Sequence, residues 1–177
     1  IQAAHTAAIR LKAGNKTLGI GRGIEAGHGL GKAMTGHPQA HLMATATLGE
    51  GITTIKNASI EPEVVSLAEF LLATGARIEG YGTSTITIEG VDALRGAEHR
   101  VMADRIEAGT YAIAAAAAGG DVTLTHMGPA HVAALSTLLE RAGVRVERGE
   151  TTLRIQREGG ALRAVDVDTQ PYPGFPT

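Results

Sequence analysis

The residues best placed to do chemistry are a glycine-rich stretch, seven histidines and a few carboxylates near expected helix starts. Ala26-Gly27-His28-Gly29-Leu30-Gly31-Lys32-Ala33 has the outline of a phosphate loop. Such a loop cradles phosphates with backbone N–H groups, reaches them with its lysine and holds magnesium through a hydroxyl. Here Ala26 stands where the first glycine is needed, and Ala33 replaces the hydroxyl. The stretch therefore reads as a glycine-rich strand and turn, with Lys32 at the mouth of a loop. Gly19, Gly21 and Gly23 read as marks of bulges or close packing.

His37 and His41 are four residues apart, a spacing that can put two metal ligands on one helix face. Pro38 is expected to open that helix, which leaves His37 at its cap, and no carboxylate stands at a zincin spacing. His126 and His131 flank another helix start. All four read as surface or capping histidines, and no metal is expected. Glu61, Glu63, Asp104 and Glu107 lie where a helix dipole favours negative charge, so their expected role is structural. The chain has no cysteine and no Gly-x-Ser-x-Gly elbow. No single motif announces an activity.

The elements that must position these residues follow from composition and repetition. Hydrophobic residues make up 44% of the 177 and aromatics only 3%, so the core must be aliphatic. A formal net charge of -2 gives no basic field for nucleic acid. The longest apolar run, Tyr111 to Ala118, is too short to span a bilayer, and no charged-then-apolar leader opens the chain. With Ile rather than Met at its start, the chain is expected to be an interior piece of a soluble protein.

Glu50-Gly51-Ile52-Thr53-Thr54-Ile55 matches Gly119-Gly120-Asp121-Val122-Thr123-Leu124, and Gly75-Ala76-Arg77-Ile78-Glu79 matches Gly143-Val144-Arg145-Val146-Glu147. Both pairs are separated by about 68 residues, the scale of one supersecondary unit. A third, partial copy is read at Thr6-Ala7-Ala8-Ile9-Arg10-Leu11. Each copy has the same grammar. A helix over 41–48 precedes a strand over 52–56; Pro62 opens a second helix whose apolar face is Val64, Leu67, Ala68, Leu71 and Leu72. Gly75 closes it, and strands over 76–79 and 85–89 follow. In the second copy Asp104 and Glu107 cap a helix over 105–118, while Pro129 opens and Gly143 closes the next. Helices of one unit cannot bury their apolar stripes alone, so sheet and helices must pack as a repeated sandwich.

From about residue 40 onward the chain resembles the UDP-N-acetylglucosamine enolpyruvyl transferases of peptidoglycan synthesis. The matching residues are Leu42-Met43, Ala46-Thr47-Leu48, Glu50-Gly51, Asn57-Ala58, Glu61-Pro62-Glu63-Val64-Val65, Thr85 to Val91 and Asp104 to Thr110. Thr169-Gln170-Pro171-Tyr172-Pro173-Gly174-Phe175-Pro176-Thr177 ends the match and is its sharpest phrase.

The resemblance implies an α/β (α+β) fold of repeated βαβαββ units, an inside-out α/β barrel of which about two and a half units are present. It implies that residues 1–91 end one globular domain and residues 92–177 begin another. It implies transfer of enolpyruvyl from phosphoenolpyruvate to UDP-N-acetylglucosamine in the cytoplasm, without a cofactor. Lys32 and Gly36 keep the spacing of the family's uridine-contacting segment, and Thr35 replaces its serine with a shift of one position; these three are the expected substrate-binding residues. The family's catalytic aspartate follows Phe-Pro-Thr, and its cysteine, Lys-Asn pair and phosphoenolpyruvate-gripping arginines lie upstream of the matched region. No catalytic residue is therefore assigned, and the chain by itself is expected to be inactive. The alternative expectation is a non-catalytic or engineered repeat module that only folds and self-associates through its open repeat ends.

Overall fold

The computed structural model describes residues 16–17 and 36–175. The partial repeat copy at 6–11 and the phosphate-loop-like stretch at 26–33 lie outside them. The chain forms two compact units, Ile1–Arg100 and Val101–Thr177.

Unit 1 runs β1 (Lys16–Thr17), α1 (Gly36–Ala46), β2 (Ile52–Lys56), α2 (Pro62–Ala73), β3 (Arg77–Glu79) and β4 (Thr85–Glu89). Its sheet has the order β1-β2-β4-β3, with β1 parallel to β2 and the other pairs antiparallel. Alternation along the strands sends Thr53, Ile55, Ile78, Ile86 and Ile88 to one face. There they meet Leu42, Met43 and Ala46 of α1 and Val64, Ala68 and Leu71 of α2. The helical spacing expected for α2 is the one observed, with Leu67 and Leu72 packed at the margin.

Unit 2 runs α3 (Arg105–Ala118), β5 (Gly120–Thr125), a 3-10 turn (Pro129–Val132), α4 (Ala133–Arg141), β6 (Arg145–Arg148) and β7 (Thr152–Arg157). Its sheet has the order β5-β7-β6, all antiparallel. Strands β5, β6 and β7 thus repeat the arrangement of β2, β3 and β4. Ala108, Ala112, Ala115 and Ala116 form the buried face of α3 against Leu139, Val146, Leu153 and Ile155. Gly75 and Gly143 close the second helix of each unit at φ of 100° and 98°, a conformation that favours glycine.

Two helix starts differ from the sequence reading. The first helix begins at Gly36 rather than His41, before Pro38 instead of after it. The first four N–H groups of a helix lack intrahelical partners, so a proline there removes nothing. The helix expected from Pro129 opens as a 3-10 turn, with His131 N–H donating to the Gly128 carbonyl at 2.9 Å. Only from Ala133 does it become an α-helix.

Polar side chains tie the elements together. Gln39, fully buried, accepts from the Ser59 N–H at 2.6 Å and donates to its carbonyl at 3.2 Å. Arg157 donates to the carbonyls of Ala116 at 2.7 Å and Ala117 at 3.0 Å, satisfying the C-terminal end of α3. On the outer face of the second sheet, Arg154 donates to Asp121 at 2.9 and 2.6 Å and to Glu147 at 3.2 Å. Gln156 donates to Asp121 at 3.0 Å.

Two predictions follow from this packing. Gly90 donates to the Gly51 carbonyl at 2.9 Å, and a Cβ on Gly90 would overlap the carbonyl oxygen of Gly49. Gly90→Ala should therefore cost about 3 kcal/mol, the scale of an overpacked core with backbone displacement, read as a lower urea midpoint at unchanged slope. The second concerns pH. The hydrogen bond from Arg154 lowers the pKa of Asp121, and that from Arg148 lowers the pKa of Glu140. A carboxyl whose folded pKa is depressed contributes stability above its unfolded pKa and loses it as pH falls through the folded value. Thermal unfolding of the chain should show a Tm that falls as pH drops below about 4, and Arg154→Met should flatten the Asp121 share of that slope. An unchanged slope in that variant contradicts the assignment.

Candidate functional site

Of the substrate-binding residues expected from sequence, Lys32 and Thr35 lie outside the described residues, and Gly36 is the first residue of α1. His37 and His41 sit one turn apart on α1, where His41 is exposed. His126 has a φ of 59° and its Nδ1 lies 3.1 Å from the Thr125 hydroxyl. Among the described residues, no group of three or more His, Asp or Glu side chains could hold a metal ion. None of their helices is long and apolar enough to cross a membrane.

The acidic residues at helix starts take the places expected of them. Asp104 is the N-cap of α3, where one carboxylate oxygen accepts from the N–H groups of Ile106 at 2.8 Å and Glu107 at 3.1 Å. Glu61 is the N-cap residue of α2, and Glu63 lies in its first turn.

Asp104 fixes where α3 begins, and the residues just after it line a pocket of about 240 Å³ in unit 2. Arg105, Ile106, Gly109, Thr110 and Ile113 form one wall; His131, Val132, Ala134 and Leu135 form a second. Pro173, Gly174 and Phe175 close the third side. Gly109 permits this arrangement: a Cβ there would come within 3.2 Å of Leu135, so α3 and α4 approach closely at that level. The third wall belongs to a folded-back loop. Gln170 N–H donates to the Phe175 carbonyl and Gly174 N–H to the Pro171 carbonyl, both at 2.8 Å. Gly174 has no room for a side chain, since a Cβ would sit 2.7 Å from that of Gln170.

Arg105 joins the loop to the helix. It is only 7% exposed, and its guanidinium carbon lies 5.2 Å from the centre of the Tyr172 ring. A cation over an aromatic face is attracted by the ring quadrupole, more strongly where water is excluded. The walls are otherwise apolar, and Thr110 spends its hydroxyl proton on the Ile106 carbonyl at 2.8 Å. The pocket thus offers a cation and an imidazole among aliphatic side chains, with no carboxylate and no nucleophile lining it. Its own walls supply no acid–base pair. Asp104 to Thr110 and Thr169 to Thr177 both carry the family resemblance but stand apart in the sequence. They come together only through the tertiary fold, and no spacing rule links segments about sixty residues apart.

The profile of the EPSP synthase family, 3-phosphoshikimate 1-carboxyvinyltransferase, matches residues 33–177, and the chain belongs to that family. Within it the similarity is to UDP-N-acetylglucosamine 1-carboxyvinyltransferases. The one from Magnetococcus marinus is 44% identical over 169 residues, covering 96% of this chain and 38% of the relative. The one from Solibacter usitatus is 55% identical over 137 residues, covering 77% of this chain and 32% of the relative. The crystal structure of the enolpyruvyl transferase NikO from Streptomyces tendae superposes with a TM-score of 0.61 at 25% identity. That alignment covers 73% of this chain and 32% of the other. The chain spans about a third of the length of the relatives it matches. Its fold is the inside-out α/β fold of the enolpyruvyl transferases, of which the described residues form two open sheets and no closed barrel.

The Arg105–Tyr172 contact gives a test of how the loop is held. Tyr172→Leu should lower stability by about 1 kcal/mol and speed hydrogen exchange at the Gln170 and Gly174 amides. Tyr172→Phe keeps the ring and should leave both unchanged; equal losses in the two variants contradict the cation–π assignment.

Proposed function

We propose that this chain is part of an enzyme that transfers the enolpyruvyl group of phosphoenolpyruvate to UDP-N-acetylglucosamine, a step of peptidoglycan synthesis in the cytoplasm. The observation that carries this reading is identity of 44% to 55% with enzymes named for that acceptor, over three quarters of the chain or more. The chemistry fits a protein without metal or organic cofactor. Both substrates are anions, and fixed cationic groups in a water-excluded site stabilise the charge that develops in transfer. Residues 1–91 belong in this reading to the end of one globular domain and residues 92–177 to the beginning of the next. Lys32, Thr35 and Gly36 contact the uridine nucleotide, with Lys32 supplying positive charge.

A segment exchange tests the proposal. Residues 32–177 of this chain replace the matching third of the Solibacter usitatus enzyme, and phosphate release is followed with phosphoenolpyruvate and one acceptor at a time. UDP-N-acetylglucosamine should support turnover, shikimate 3-phosphate should not, and the chain alone should release nothing. In the chimera, Lys32→Ala should raise the KM for UDP-N-acetylglucosamine about tenfold at unchanged kcat, as loss of uniform binding does. A folded chimera that is inactive with that acceptor, or prefers the other, overturns the reading.

A further inference from the structure

Each unit ends with a segment that crosses back over its second helix. After β4 the Arg95 N–H donates to the Thr74 carbonyl at 2.8 Å; after β7 the Arg163 N–H donates to the Ala142 carbonyl at 3.0 Å. Thr74 and Ala142 are the C-cap residues of α2 and α4, so each strap satisfies a carbonyl that the helix itself leaves unpaired.

Beyond that shared bond the two straps differ. In unit 1 Leu94 packs on the core, and His99 then reaches α2 a second time. Its Nε2 lies 3.2 Å from the Ser66 hydroxyl, and its ring centre lies 5.7 Å from that of Phe70, with the rings tilted by 54°. Ser66 and Phe70 stand one turn apart on α2, so a single imidazole engages both. The matching residues of unit 2 are Ala134 and Leu138 on α4 and Val167 on the strap. Their side chains offer no hydrogen bond, and Val167 is 44% exposed. The strap is repeated, but its second hold is not.

What comes after the first strap gives that hold a use. Ala103 packs on the core of unit 2 and Asp104 caps α3, so only Arg100, Val101 and Met102 lie between His99 and the next fixed point. Val101 is 79% exposed, and these three make no backbone hydrogen bond to another described residue. With His99 unseated, the nearest hold upstream is the Arg95 N–H, and the free chain runs from Gly96 to Met102. A side chain on Gly96 would meet nothing, and glycine there adds a flexible joint. Three extended residues reach about 11 Å and seven about 25 Å.

We infer that His99 is a latch on the crossover that joins the two units. Seated between Ser66 and Phe70, it limits the free tether to Arg100, Val101 and Met102; unseated, it lengthens the tether back to Gly96. The inference does not depend on the transfer activity proposed above.

Backbone 15N relaxation on the isotope-labelled chain tests the latch. In the unchanged chain, order parameters should stay near about 0.85 through His99 and dip only at 100–102. In His99→Ala the dip, below about 0.6, should extend back to Gly96, with the α2 and β4 signals unmoved to show that unit 1 is intact. His99→Phe, which keeps a ring against Phe70, should fall between. Trypsin should cut the unchanged chain after Arg100 well before Arg95, and His99→Ala should speed the cut after Arg95 about tenfold. From the same relaxation data, the tumbling times of the two units should move apart in His99→Ala, because a longer flexible tether couples them less. Order parameters at 96–99 that are already low in the unchanged chain, or indifferent to His99→Ala, overturn the inference. So do tumbling times that stay together while 96–99 loosen, since the contact then stiffens the strap without setting the tether.

Discussion

The constraint on which this structure depends is that a core almost without aromatic side chains can be filled only if backbones come close. Alanine, valine, isoleucine and leucine reach a short distance, and dense packing leaves few voids larger than a water. In unit 2 α3 gives the apolar core four alanines, so the helix must lie near the sheet to touch Leu153 and Ile155 at all. Gly109 lets α4 approach the other flank of the same helix. In unit 1 the close approach falls between Gly49 and Gly90, where the turn after α1 meets the end of β4. Glycines at these points are steric requirements of neighbouring elements, separate from those that close helices.

Much of the architecture was legible because it is local. The strand at 52–56 and the helix at 105–118 appear with the expected bounds, since β-branched alternation and an N-cap aspartate act within a few residues. The repeat was legible because the same turn glycines recur at matching points. The start of α1 was not: Pro38 looks like a helix opener, and nothing local shows that the first turn tolerates it two residues further in. The 3-10 turn at 129–132 was equally hidden, because proline opens either kind of helix. The pocket wall made by Pro173 to Phe175 could not be read from spacing, for it depends on a loop returning to α3.

The polar side chains do different work in the two units. Gln39 buries both ends of its amide on the N–H and carbonyl of one residue, Ser59, in the loop after β2, a pairing that fixes the loop without exposing charge. Arg157 performs a related task from a strand, turning two nitrogens to the last carbonyls of α3. Arg154 instead lies on the outer face among carboxylates that water also reaches, where pairing contributes little to stability. Its effect is to order the outer surface of the sheet. The outer charges can therefore vary with little effect on the fold, while the buried amide and the carbonyl cap cannot.

The chemistry asked of an enolpyruvyl transferase sets a limit on what unit 2 can do by itself. Two anionic substrates must be brought within reacting distance, and each requires positive charge that water does not screen. The pocket beside α3 offers one buried guanidinium, already set over Tyr172, and one imidazole. That is enough to hold a loop. It is not enough to neutralise a nucleoside diphosphate and a phosphoenol carboxylate together. The physical role that Arg105 can fill here is positional: it fixes the 169–175 loop against the first turn of α3, so that whatever the loop presents is held by a helix rather than by a flexible chain. Precision of that kind comes from rigid elements, and the capped start of α3 is the most firmly anchored one near the pocket.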